Sequence, residues 1–136
     1  MRSSVPRRRA RGFTLIELLV VIAIISILAA IAIPQFAAYR ATGFNARVAS
    51  DARTAATANE AYFIDNSAYA TSGNCILLPS MVVSAGVTCT LGSATCSDGT
   101  SGFTVATSHP RAKKSCTWNS CGQTCVDGST GNLCCA

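Results

Sequence analysis

Positions 13–33 read FTLIELLVVIAIISILAAIAI, a run of twenty-one residues in which Glu17 carries the only charge. At 1.5 Å per residue this run makes a helix about 31 Å long, enough to span the hydrocarbon core of a membrane. Beyond Pro34 the apolar positions thin out and take up a helical period. Phe44, Val48, Ala52, Ala55, Asn59 and Tyr62 step by threes and fours and fall on one mostly apolar face. Alanine dominates positions 46–61, which favours helix and close packing. Arg47 and Asp51, spaced i and i+4, are expected to support the solvated side by about 0.2–0.5 kcal/mol. The helix is expected to end near Ile64 or Asp65, before NSAYATSGN. Running from 13 to 64, it would be about 78 Å long. The rest of the chain is too small to cover that length, so the first half must be buried against something else.

Past the helix the rhythm shortens to two. GVTCTLG (86–92), GFTVATS (102–108) and SCTWNS (115–120) alternate, carry β-branched or aromatic residues, and lie between Gly, Ser and Asp punctuation. The pattern predicts an α+β fold in which the second half of a long N-terminal helix packs on a small antiparallel sheet of three or four strands. Four segments follow: 1–12, basic; 13–34, apolar helix; 35–65, amphipathic helix; 66–136, a β head. No tandem repeat interrupts them.

Charge changes the picture in one respect. The net charge of +5 points at first to nucleic acid or an acidic surface, but Arg2, Arg7, Arg8, Arg9 and Arg11 sit in the first twelve positions. The basic character therefore belongs to the N-terminal segment, and from Phe13 onward acids and bases balance. A nucleic-acid partner has only one weak local signal, SHPRAKKS (108–115), which puts Arg111, Lys113 and Lys114 beside the single histidine, His109. These four residues are candidate surface contacts for DNA, an acidic polysaccharide or a mineral. Without an aromatic platform they read equally as a solvated loop.

Cysteine is confined to the head: Cys75, Cys89, Cys96, Cys116, Cys121, Cys125, Cys134 and Cys135. An even count in a Gly/Ser/Thr-rich segment reads as a disulfide framework formed in an oxidising compartment. Pairing is undetermined among on the order of a hundred connectivities, although adjacent Cys134 and Cys135 are expected to bond different partners. The spacing lacks the paired C-x2-C knuckles of zinc sites, so no metal and no cofactor is expected. A head of this size has a marginal core, and disulfides supply what burial does not. Catalysis finds no support: there is one histidine, no nucleophile elbow, no phosphate-binding glycine loop and no recognisable acid pair.

Three readings fit the basic segment and apolar run. A secretory signal peptide cut after Ala32 would release a disulfide-rich binding module. However, the run exceeds a usual signal-peptide core, contains Glu17, and would leave proline just beyond the cut. A plain membrane anchor, arginines inside and cysteines outside, fits the charge rule. It leaves Glu17 unexplained, since a carboxylate at a helix centre in hydrocarbon costs about 2.5–3.5 kcal/mol, and no obvious partner stands in the same segment.

The third reading rests on RGFTLIELLVVIAIISILAAIAIPQF, which resembles the N-terminal signature of type IV pilins and pseudopilins. Gly12, Phe13, Glu17 and Pro34 stand where that pattern puts them, over about residues 7 to 40. The resemblance implies a pilin-like roll, cleavage between Gly12 and Phe13 by a prepilin peptidase on the cytoplasmic side, and methylation of Phe13 as the new terminus. It also implies inner-membrane residence, then polymerisation by the pilus assembly machinery into a homo-polymeric surface filament. In such a filament Glu17 of one subunit would sit beside the Phe13 amine of a neighbour and set axial register, because removing one charge strands the other. The alternative is a glutamate that snorkels to a membrane edge. Pro34 removes a helical hydrogen bond and is expected to kink the helix; in similar pilins the equivalent region is flexible or locally melted.

Aromatics at Phe13, Phe36, Tyr39, Phe44, Tyr62, Phe63 and Tyr69 are read as packing groups rather than as an electron path. Eight cysteines exceed the single C-terminal disulfide loop of major pilins. That departure leaves a minor pilin or a pseudopilin of a secretion or competence machine open beside a major subunit for adhesion or motility.

Overall fold

A computed structural model describes residues 12–126 and 130–136. The basic leader, up to residue 11, lies outside the described residues. One helix, α1 (Leu15–Asn66), and five strands account for most of the chain: β1 (Gly73–Asn74), β2 (Thr88–Thr95), β3 (Ser101–Ser108), β4 (Cys116–Thr124) and β5 (Thr130–Cys135). A single 3-10 turn, Cys75–Leu77, follows β1. Two compact units divide the chain, Met1–Ala37 and Ala38–Ala136.

In the first unit α1 starts at Leu15 and runs through Pro34 without ending. Its large apolar side chains are exposed, Leu15 at 82% and Ile33 at 70% among them. This end of α1 is long and apolar enough to cross a membrane.

The second unit holds the rest of α1 and the sheet. Here the helical period expresses itself as burial: Val48, Ala52, Ala55, Ala56 and Asn59 are all buried, with Phe44 and Tyr62 half-buried at the ends of the same face. Small residues there bring helix and sheet close together. The strands run β1-β2-β3-β4-β5 in space as in sequence, every neighbouring pair antiparallel. Alternation delivers Cys89 and Leu91 of β2, and Phe103, Val105 and Thr107 of β3, to the core side. Phe103, Val105 and Leu91 pack with Ala55, Ala56, Leu78 and Met81 in the main cluster. A smaller cluster gathers Val48, Ala52 and Cys116. Between helix and sheet the buried Thr107 hydroxyl reaches Val48 O at 2.9 Å and Cys116 O at 3.3 Å.

The sheet is larger than the alternation pattern predicts, with five strands in place of three or four. β1 is two residues long and β5 reads TGNLCC, so neither carries an alternating signal. β5 is placed by pairing with β4, Cys116 opposite Cys135, and by two disulfides. A second correction concerns Asp51. Rather than bracing the solvated side with Arg47, it is 6% exposed and accepts from Ser84 N and Ser84 Oγ, each at 2.9 Å. That carboxylate pins the loop before β2 onto α1.

All eight cysteines are bonded: Cys75–Cys89, Cys96–Cys121, Cys116–Cys135 and Cys125–Cys134. Cys134 and Cys135 thus hold different partners. Cys75–Cys89 lies inside the main cluster. Around Cys96–Cys121 the backbone comes so close that a Cβ at Gly102 would lie 2.6 Å from Cys121 Sγ, so only glycine fits there.

Candidate assembly site

The N-terminal end of α1 closes on itself. Thr14 precedes the first helical residue and Glu17 is the third within the helix, the spacing of a capping box. The Glu17 carboxylate accepts from Thr14 N and Thr14 Oγ1, each at 2.8 Å, and Thr14 Oγ1 accepts from Glu17 N at 3.3 Å. Glu17 therefore has a partner in its own segment, contrary to the sequence expectation. The motif [ST]-x-x-E stands in TLIE, inside an apolar run of membrane length. Gly12, Phe13, Thr14 and Glu17 line one hollow of about 390 Å³. Gly12, Phe13 and the carboxylate are thus neighbours.

Two features of this end set what the carboxylate can bind. The carboxylate is acidic at a helix N-terminus, where the macrodipole favours a negative charge. Capping also engages only one of its oxygens, and a carboxylate offers roughly four lone-pair sites. A cation from another chain therefore finds acceptor capacity without dismantling the cap.

The segment 7–33 matches the family model described as the prokaryotic N-terminal methylation motif. That segment is the part of the chain most like type IV pilins. The chain is 42% identical over 74 residues to the type IV major pilin protein PilA of Myxococcus xanthus, covering 54% of the chain and 34% of that relative. It is 50% identical over 62 residues to the type IV wide pilus major component PilA4 of Thermus thermophilus, 46% of the chain and 47% of the relative. A type II secretion system core protein G of Klebsiella michiganensis is 38% identical over 66 residues, 48% of the chain and 46% of the relative. The chain thus spans less than half the length of each of these curated relatives. No solved structure matches it.

The four candidate surface residues of the head fall into two pairs, His109 with Arg111 and Lys113 with Lys114. His109 is half-buried and stacks on Phe44, with ring centroids 4.3 Å apart and planes 14° apart. Its Nδ1 accepts from Arg111 N at 3.0 Å. Its Nε2 lies where a Cβ on Gly86 would come within 2.7 Å, and Gly86 also has φ +82°. The backbone N–H groups of Lys113 and Lys114 both donate to Asn45 Oδ1, at 2.9 and 3.1 Å. Lys114 Nζ turns the other way, to Cys135 O at 3.4 Å. His109 is therefore built into the helix–sheet junction, and the two lysines staple β5 and α1.

Aromatics fall into distinct groups. Phe63 stacks on Tyr69, and Tyr69 tilts against Phe103 at 4.9 Å. Burial and then the hydrogen bond to the Glu60 carboxylate push the Tyr69 phenol up. Phe13, Phe36 and Tyr39 stand exposed at 85%, 65% and 75%. Among the described residues no group of three or more His, Cys, Asp or Glu side chains is placed to hold a metal ion.

Proposed function

We propose that this chain is the structural subunit of a type IV pilus. A prepilin peptidase cuts between Gly12 and Phe13, the new Phe13 amine is methylated, and subunits stored in the inner membrane polymerise through the apolar half of α1 into a surface filament. The observation that carries the reading is an exposed apolar half-helix that begins at a capped Glu17, four residues from the proposed terminus. Such a surface requires either lipid or copies of itself. In a dry bundle the Phe13 amine of a neighbour neutralises Glu17, and register follows because a misaligned subunit strands both charges.

Against the release of a secreted module stands α1 itself. The Ala-Ile-Ala at 30–32 lies in the middle of an unbroken helix, where a protease that needs extended backbone finds none. A pseudopilin is the second reading, favoured by the match to the secretion-system core protein.

Peptide and intact-mass spectrometry on native protein sheared from cells tests the proposal. An N-methylated Phe13 terminus is expected, with two hydrogens missing for each of the four disulfides. A terminus at Ile33 removes Glu17 from the mature chain and ends the filament reading. Absence from the sheared fraction, with Phe13 processed in the membrane, favours the pseudopilin.

A further inference from the structure

Arg40 and Arg47 of α1 and Arg111 of the segment after β3 line one cleft of about 500 Å³, with Phe44 and His109 in its wall. No acidic residue is among those lining it. Asp51, four residues beyond Arg47 on α1, is committed to Ser84. We propose that this cleft binds the phosphate of an anionic phospholipid headgroup at a membrane surface. The inference rests on the membrane residence of the subunit, not on its polymerisation.

Chemistry favours phosphate. Arginine forks make paired, charge-assisted hydrogen bonds to tetrahedral oxyanions, and here the cations sit on a pre-arranged support. Arg47 lies 5.5 Å from the Phe44 ring centroid, a cation–π distance. Phe44 stacks on His109, and His109 is held by the backbone N–H of Arg111. Gly43 adds to the opening, since a Cβ there would meet nothing within 4 Å.

The source of the phosphate follows from position. Arg40 is the first charged residue after Glu17 and follows the apolar run by seven positions. Between them stands Tyr39, 75% exposed, a residue type that anchors at membrane interfaces. Binding of single-stranded nucleic acid needs aromatic faces on which bases stack. The Phe44 ring is already occupied by His109 and Arg47, which disfavours that partner.

The test uses the full chain in a neutral detergent and native mass spectrometry. The probes are dioleoyl phosphatidylglycerol, dioleoyl phosphatidylcholine, inorganic phosphate and an oligothymidylate. Phosphatidylglycerol should bind in preference to phosphatidylcholine. Arg40→Gln/Arg47→Gln/Arg111→Gln should weaken it by roughly tenfold or more while leaving phosphatidylcholine unchanged. Lys113→Gln/Lys114→Gln should keep the preference. The disulfide mass signature and near-ultraviolet dichroism verify the fold. Arg40→Gln/Arg111→Gln, which retains the Arg47–Phe44 contact, supplies the same readout where the triple substitution disturbs it. Persistence of the phosphatidylglycerol preference in the arginine variants overturns the site. Equal competition by inorganic phosphate, or tighter binding of the oligonucleotide, overturns the lipid source. None of these readouts needs cleavage or polymerisation, so failure here leaves the Phe13 terminus test standing, and the reverse.

Discussion

Asn59 is fully buried in the apolar face of α1, and its amide meets both polar groups of one residue. Nδ2 donates to Ala70 O at 3.0 Å, and Oδ1 accepts from Ala70 N at 2.9 Å. This ties the segment after α1 back onto the helix, just where Tyr69 must turn in to meet Phe103. In Asn59→Ala both bonds vanish, at about 1 kcal/mol each, and the two Ala70 groups lose their partners, at about 1–3 kcal/mol each when fully buried. Ala70 is half-buried, so water recovers part of that loss, and the net expectation is roughly 2–4 kcal/mol. Guanidinium unfolding of the full chain in neutral detergent, with disulfides intact and followed by Trp118 fluorescence, reads the change as a shifted midpoint at unchanged slope. Thr57→Ala, on the exposed side of the same helix turn, is the control and should stay within about 0.5 kcal/mol. Asn59→Asp is more diagnostic. Its ionised carboxylate would set an oxygen against Ala70 O, whereas the protonated form can donate there. The folded state therefore raises the pKa of the new carboxyl. The stability it supports is present below the ordinary carboxylate value and lost as pH rises through the raised one. A loss under about 0.5 kcal/mol for Asn59→Ala, or a pH-independent Asn59→Asp, would refute the reasoning.

Other expectations follow from the same geometry. Glu17→Gln retains an oxygen for the Thr14 N–H but no charge, whereas Thr14→Ala removes the cap, at about 1 kcal/mol, and leaves the charge. If register is an ion pair, sheared filament yield should collapse in Glu17→Gln and survive in Thr14→Ala. Disulfide removal should scale with the loop closed. Replacing Cys96 and Cys121 by serine, at a separation of 25, should cost about 3.5 kcal/mol, against about 2.5 kcal/mol for Cys125 and Cys134 at a separation of 9, measured as unfolding midpoints. The Thr100 hydroxyl and then its N–H hold the Asp98 carboxyl below the usual range. Its contribution to the β2–β3 turn is therefore present above about pH 3.9 and lost as pH falls through the depressed value. A carboxyl titration by NMR should show this, and Thr100→Ala should return Asp98 toward its ordinary value.

Local pattern alone determined a good deal of this protein. The apolar run and its lone Glu17, the period of Phe44 through Tyr62, the alternation in β2, β3 and β4, and the even cysteine count each declare themselves over a few residues. Helix period, strand period and membrane length are properties of contiguous chain. The capping box was also legible in TLIE, and was simply outweighed by the hydrophobicity around it. Tertiary structure decided what depends on partners distant in sequence. Asp51 looks like a solvated i, i+4 residue until the loop at Ser84, thirty-three residues on, folds over it. β5 has no strand pattern, because its place comes from β4 and two sulfur bridges. The cysteine pairs, and the gathering of Arg40, Arg47 and Arg111 into one cleft, exist only once the sheet has wrapped its strands against α1. Periodicity reports which face of an element is apolar; which residues meet across that face is set by the topology that closes it.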